Sequence, residues 1–233
     1  MFVHSSLSSC GHHVGGPHGV LDILGEFCNT LCLPTHSYCY PESSGLPGPV
    51  FNAATTPSRV GRLSEIFRQR AGSLRSIHAT HSLAASGNMA EELCADHYRY
   101  ETPCGAGTPY TRLIAKHAAV LMFGVSFAYY TLFHTAESES DSRCAFLPGQ
   151  EVWLRVIDES GQQRDCWSRR QNFIAPRFDQ VGDFLERVGL VRRTALGHGT
   201  LLFVPDCSGV HDSILERLRR EPDFLRTSCT SEM

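Results

Sequence analysis

Ala118-Ala119-Val120-Leu121-Met122-Phe123-Gly124-Val125 is a continuous apolar run that stops on a Gly-Val pair. It is far shorter than the ~20 apolar residues that cross a bilayer. Its length and bulky composition read as a strand buried on both faces, as in the inner strands of a parallel sheet. The stretch Tyr129 to Glu139 that follows reads as a helix, so this region is one strand-to-helix unit.

The pattern repeats toward the N-terminus. Phe2 to Leu7 reads as a short strand opening into a Ser, His and Gly loop, Ser8 to Gly16. Val20, Ile23, Leu24 and Phe27 then recur on one helical face, and Leu31 to Leu33 starts another strand, ended by Pro34. Ser37 to Thr56, punctuated by prolines and glycines, reads as a long irregular loop, and such loops often carry function. Pro57-Ser58 is expected to start a helix bearing Leu63, Ile66 and Phe67, ended by Gly72. Met89 to Asp96 and Tyr110 to Lys116 also read as helices. Strands alternating with helices define an α/β layer structure.

After Pro148 the pattern changes. Glu151 to Asp158 and Gln163 to Ser168 flank Ser160-Gly161 as a hairpin. A helix through Val181 to Val188, a strand pair about Gly197-His198-Gly199 and a last helix through Ile214 to Leu218 follow. The expected organisation is a single domain, residues 1–233: a ligand-binding and catalytic part, 1–147, and an α+β C-terminal part, 148–233, with few chemical groups.

The 233 residues are 42% hydrophobic and 19% charged, ordinary values for a chain with a buried core. A net charge of -3 argues against a nucleic-acid partner, which needs a basic face. Neither a basic n-region nor a long apolar h-region follows Met1, so a cytoplasmic protein without a membrane partner is expected. Free thiols are then expected for the ten cysteines. Cys28, Cys32 and Cys39 with His36 lack the spacing of a zinc ribbon or finger, so no metal is expected. A small metalloprotein using the many histidines and cysteines is the competing class.

Four segments carry candidate chemistry. Hydroxyls and glycines at His4-Ser5-Ser6 and Val14-Gly15 lie between a strand and a helix, where free backbone N–H groups bind phosphate or amide. A Ser/Gly turn has the same look. Thr56-Pro57-Ser58-Arg59 reads as a helix start where Arg59 could meet a phosphate, or as a simple capped helix. Arg75-Ser76-Ile77-His78-Ala79-Thr80-His81-Ser82 crowds two histidines, three hydroxyls and an arginine together, a density hard to ascribe to packing. His134 and Glu137 stand at i and i+3 of a helix, side by side. A carboxylate beside an imidazole fixes its tautomer and makes it a better base. No Gly-x-Ser-x-Gly elbow is present.

Taken in order, these segments resemble the aminoglycoside 3-N-acetyltransferase family. The resemblance is carried by His4-Ser5-Ser6-Leu7-Ser8-Ser9 with Gly15-Gly16, by Leu33-Pro34-Thr35, by Thr56 to Glu65, by Arg75 to Gly87, by Gly107-Thr108-Pro109, by Gly124-Val125 and by His134-Thr135-Ala136-Glu137. It continues more loosely to Arg219-Arg220-Glu221-Pro222-Asp223-Phe224-Leu225. The resemblance implies a layered α/β/α fold with a mixed central sheet, acetyl-CoA as co-substrate, and a small-molecule amine of an aminoglycoside or amino sugar as acceptor. It leaves a homodimer open. It implies that His134 and Glu137 are catalytic. His4, Ser5, Ser6, Val14, Gly15, Thr56, Pro57, Ser58, Arg75, Ser76 and His78 would face the co-substrate. His81 and Ser82, with His78 or backbone N–H groups, would steady the oxyanion.

Three departures stand against the family pattern. Family members carry a further segment ahead of the strand that here begins at Phe2. An Asp or Asn frequent before the catalytic helix is missing from Ser126-Phe127-Ala128-Tyr129-Tyr130, which implies altered acceptor binding. Ala79 stands where proline is common. A relative that binds CoA without turnover, and one that acetylates a biosynthetic amino sugar, are the alternatives within this reading.

Overall fold

The computed structural model describes residues 1–11, 13–40, 49–140, 145–172 and 176–226. Phe2–Ser5 (β1), Thr30–Pro34 (β2) and Val120–Phe123 (β6) form the centre of a seven-stranded sheet. β1 runs parallel to both, pairing Phe2 with Cys32 on one side and Phe2 through Ser5 with Val120 through Phe123 on the other. Leu74–Arg75 (β4) and Leu83–Gly87 (β5) extend the sheet antiparallel beyond β2. Arg192–Leu196 (β9) and Gly199–Val204 (β10) extend it beyond β6, giving the order β4-β5-β2-β1-β6-β10-β9. This is the mixed central sheet of an α/β fold.

Strand alternation explains the layers, because successive side chains point to opposite faces. Phe2, Val120 and Met122 share one core with Ala90–Cys94 (α3), Pro109–Ala115 (α4), Phe133–Glu139 (α5), Phe178–Arg187 (α6) and Cys207–Arg220 (α7). Val3, Leu31, Leu33 and Phe123 share another with Gly16–Glu26 (α1) and Arg62–Arg68 (α2). Each fully buried side chain of this size contributes roughly 1.5–3 kcal/mol. Phe51–Asn52 (β3), Phe146–Ile157 (β7) and Gln163–Gln171 (β8) form a second sheet over a small core of Phe51, Ala53, Ala79, Leu154, Val156 and Cys166. None of the helices among the described residues is long and apolar enough to cross a membrane.

Four expectations need correcting. The helix expected at Pro57 begins at Arg62 instead. Gly61 adopts φ 110° and ends the non-helical approach, while Glu65 reaches back to accept from the Ser58 N–H at 2.7 Å. The Arg59 N–H is spent on the His36 carbonyl at 2.7 Å, which holds this segment against the chain leaving β2. The Ser37 to Thr56 loop contains a strand, because Phe51 and Asn52 find partners at Val156 and Ile157, and residues 41–48 of that loop lie outside the described residues. The helix expected from Tyr129 starts only at Phe133, after a 3-10 turn over Phe127–Tyr129. The C-terminal part is also richer in chemistry than expected, as the site shows.

β1 is the point where the connections diverge: α1 crosses to β2 on one face, and α4 leads into β6 on the other. In such sheets ligands bind outside the carboxyl ends of the strands at this crevice. The chains leaving β1 and β6 pass close together. Gly124 has φ 68°, and a Cβ there would stand 2.6 Å from the Ser6 carbonyl oxygen. Only glycine permits both the left-handed turn and this approach.

Candidate active site

A cavity of about 1150 Å³ opens at the carboxyl ends of β1 and β6. Its wall includes His4, Ser5 and Ser6 from β1 and its exit, and Gly15, Gly16 and Pro17 from the start of α1. Arg59 and Arg62, both exposed, stand at the side of α2. Tyr130, Thr131 and His134 close the opposite side, with Phe178. A single small ligand fills ~300–1,000 Å³, so this space exceeds the needs of one.

His134 sits in the first turn of α5, buried among aromatic rings, with Phe178 edge-on at 5.3 Å. Its Nδ1 lies 2.6 Å from Glu137 Oε2. An ionised carboxylate only accepts, so Nδ1 carries the proton and the ring lone pair falls on Nε2. Gln171 Nε2 lies 3.0 Å from the same Nδ1, but donors do not bond donors. Its protons go to the Ala145 carbonyl at 2.9 Å and to Glu137 Oε2 at 3.3 Å. The other carboxylate oxygen, Oε1, accepts from Arg226 Nε at 2.7 Å. Glu137 is 1% exposed and Arg226 2%. The arrangement holds an imidazole in one tautomer at a cavity wall, which is the equipment of a general base.

Of the residues read as co-substrate contacts, His4, Ser5, Ser6 and Gly15 line the cavity. Val14 does not; it projects into solvent, 89% exposed. Thr56, Pro57 and Ser58 stop short of the cavity, because the chain turns into it only at Arg59. Burial lowers the His4 imidazole to about 3, so this ring is neutral. Its Nε2, Ser5 Oγ and Tyr130 Oη are buried without a hydrogen-bond partner among the described residues.

The Arg75 to Ser82 segment is not a wall of the cavity except at His81. Arg75 is a buried clasp. Its guanidinium donates to the Thr35 carbonyl at 2.7 Å, to the carbonyls of Ala53 and Thr56, and to Ser82 Oγ, and it lies over the Phe51 ring. Burial lowers it to about 10, which keeps it charged at neutral pH. Ser76 Oγ bonds His97 Nδ1 and the Leu83 N–H, and Ser82 Oγ donates to the Thr35 carbonyl. His78 Nδ1 accepts from the Thr80 and His81 N–H groups. Most of these polar groups satisfy one another between the two sheets, which accounts for much of their density, while His78 Nε2 is buried without a hydrogen-bond partner among the described residues. Arg75→Leu is therefore expected to cost about 3 kcal/mol or more of stability by stranding three carbonyls. Urea denaturation checks this. An unchanged midpoint with a raised KM for the co-substrate would instead make Arg75 a ligand contact.

His36, one of the residues weighed for a metal cluster, spends Nδ1 on the Tyr38 hydroxyl and Nε2 on that of Tyr110. Tyr110 in turn donates to the His81 carbonyl at 2.7 Å. Burial holds His36 and His81 well below the ordinary imidazole value. Cys32 packs in the main core between sheet and helices.

The sequence reading missed Gln171 and Arg226. Each stands in the C-terminal part, 34 and 89 residues from Glu137, with no local pattern to mark it. Arg62 and Tyr130 were also missed as cavity residues.

Comparison with known proteins agrees with this fold. Aminoglycoside N(3)-acetyltransferase VII of Streptomyces paromomycinus is 27% identical over 221 residues, 83% of this chain and 76% of that protein. Aminoglycoside N(3)-acetyltransferase IX of Micromonospora chalcea is 36% identical over 147 residues, 59% of this chain and 52% of that protein. A crystal structure of a histidine-to-alanine variant of AAC(3)-IVa in complex with a gentamicin has the same fold, with TM-score 0.80 at 23% identity, covering 96% of this chain and 83% of that one. So does AAC-IIIb in a binary complex with CoASH, with TM-score 0.78 at 22% identity, covering 97% and 91%. The family model described as aminoglycoside 3-N-acetyltransferase matches residues 2–215, and with it the chain belongs to that family.

Proposed function

We propose that this protein transfers the acetyl group of acetyl-CoA to an amine of an aminoglycoside, acting in the cytoplasm as a resistance-type N-acetyltransferase. The observation that carries the reading is the buried His134–Glu137 pair at the wall of a cavity large enough for two substrates. The relatives bound to CoASH and to a gentamicin support the two ligand classes. Parts 1–147 and 148–233 work as one catalytic unit in this reading, since Gln171 and Arg226 reach Glu137.

Arg59, Arg62 and the start of α1 would receive the phosphate-bearing co-substrate, through charge and through backbone N–H groups at a helix start. His4, Ser5, Ser6 and Gly15 line that route, and His81 stands nearer the reacting end as a neutral imidazole. The acceptor amine attacks the thioester carbon, and His134 Nε2 takes its proton as the C–N bond forms. The C–S bond then breaks and the proton returns to the departing CoA sulfur. No acetyl-enzyme is needed, because a thioester is already activated.

The test is thiol release from acetyl-CoA with and without a panel of aminoglycosides and simple amino sugars, alongside thermal shift with CoA. Release only with an aminoglycoside is the expected outcome. Release only with simple amino sugars reassigns the acceptor. A CoA-induced shift with no release from any acceptor overturns the enzyme reading.

A further inference from the structure

The Glu137 carboxylate is buried with two different positive or polar neighbours on its two oxygens. Oε2 holds His134 Nδ1 and Gln171, and Oε1 holds Arg226 through Nε at 2.7 Å and Nη2 at 2.6 Å. Arg226 follows α7 on a short tail that is itself docked. Leu225 is fully buried, its carbonyl accepts from the Arg177 N–H at 2.9 Å, and Arg226 pairs with Pro176 as an isolated antiparallel bridge. Arg226 also lies beyond residues 2–215, the span matched by the family model.

The guanidinium sets the charge of this buried cluster. With Arg226 present, neutral His134 and ionised Glu137 leave these three side chains with no net charge, and protonating His134 would leave them at plus one. Without Arg226, the same neutral imidazole and carboxylate would be minus one. A buried uncompensated charge is costly, so the group would take up a proton instead. That proton would occupy the pair and remove the base.

Among the described residues, the other titratable groups packed around the pair do not supply the missing charge. His36 and His81 are kept neutral by burial. Burial and the Glu137 carboxylate push the Cys104 thiol well up, and burial does the same for the Tyr130 phenol. His211 lies behind α5, where Nδ1 meets Thr135 Oγ1 and Nε2 meets Glu139.

We propose that Arg226 is a positioning residue of the active site: by balancing Glu137 it keeps His134 unprotonated and aligned as the base at neutral pH. This rests on the reading of His134 as the base.

The experiment is the pH profile of kcat/KM, with acetyl-CoA and one aminoglycoside, for the parent enzyme and for Arg226→Gln, Arg226→Lys, Glu137→Gln and His134→Ala. The acceptor amine titrates equally in every case, so a displaced acid limb belongs to the protein. Arg226→Gln should move the limb up by about one pH unit or more, with activity returning at high pH. Arg226→Lys, which keeps the charge, should leave the limb near the parent's while lowering kcat. Glu137→Gln leaves the guanidinium unbalanced beside the imidazole and should move the limb down. It carries the test by itself if Arg226→Gln is not recovered folded. Limbs that stay at the parent position in Arg226→Gln and Glu137→Gln, whatever the absolute rates, overturn the proposal. Near-normal turnover in His134→Ala instead overturns the base reading beneath it.

Discussion

Replacing His134 with alanine is expected to lower kcat by about 10²–10⁴-fold, the usual worth of a positioned general base. That corresponds to roughly 3–5 kcal/mol of barrier. The argument is local. His134 lines the cavity, and its tautomer is set by Glu137 at 2.6 Å. An amine cannot complete its attack on a thioester while keeping its proton, so losing the acceptor of that proton strikes the chemical step. CoA binding should survive, because the residues proposed to hold it belong to β1, α1 and α2. The check is steady-state kinetics with an aminoglycoside, paired with a CoA thermal shift. Normal kcat in a variant that still binds CoA would remove His134 from the chemistry.

The second large effect is on stability and comes from buried imidazoles. His4 and His97 are lowered to about 3 by burial, and His36, His78 and His81 lie well below the ordinary value of 6.5 for the same reason. These rings stay neutral in the fold but take up protons when unfolded. The unfolded chain therefore binds more protons below pH 6.5, and stability falls as pH falls from there toward about 3. One pH unit below the ordinary value, each such ring costs the fold about 1.4 kcal/mol. Five together approach about 7 kcal/mol, as much as many domains possess. Thermal melts at pH 7.5, 6.5 and 5.5 should show a modest fall over the first step, about 2 kcal/mol, and a steeper one over the second, about 5 kcal/mol. A melting temperature that holds at pH 5.5 would mean that these rings are hydrated or protonated in the fold.

What could be read from the sequence was what lies close in the chain. The alternation of apolar strands and helices gave the α/β layers, because hydrophobic periodicity is a local signal. His134 and Glu137 were legible because a helix fixes i and i+3 as neighbours. Arg226 was not legible, since nothing local distinguishes an arginine that folds back under a helix 89 residues away from one left in solvent. The Arg75 to Ser82 segment was legible as unusual but not as buried. Most of its polar side chains are engaged with each other or, through Arg75 and Ser82, with the carbonyls of Thr35, Ala53 and Thr56. Pro57 carried the mark of a helix start, yet Glu65 and His36 held the chain extended through Gly61.

The place of β1 between β2 and β6 also sets an order of events during synthesis. The strand emerges ahead of both partners, and its β2 neighbour follows soon after α1. Its other edge stays unpaired until Val120 to Phe123 leave the ribosome. A strand edge left open for about half of this chain's synthesis is an invitation to other nascent chains. The gene product should thus be most soluble when made slowly and cool, with chaperones holding that edge until its partner arrives.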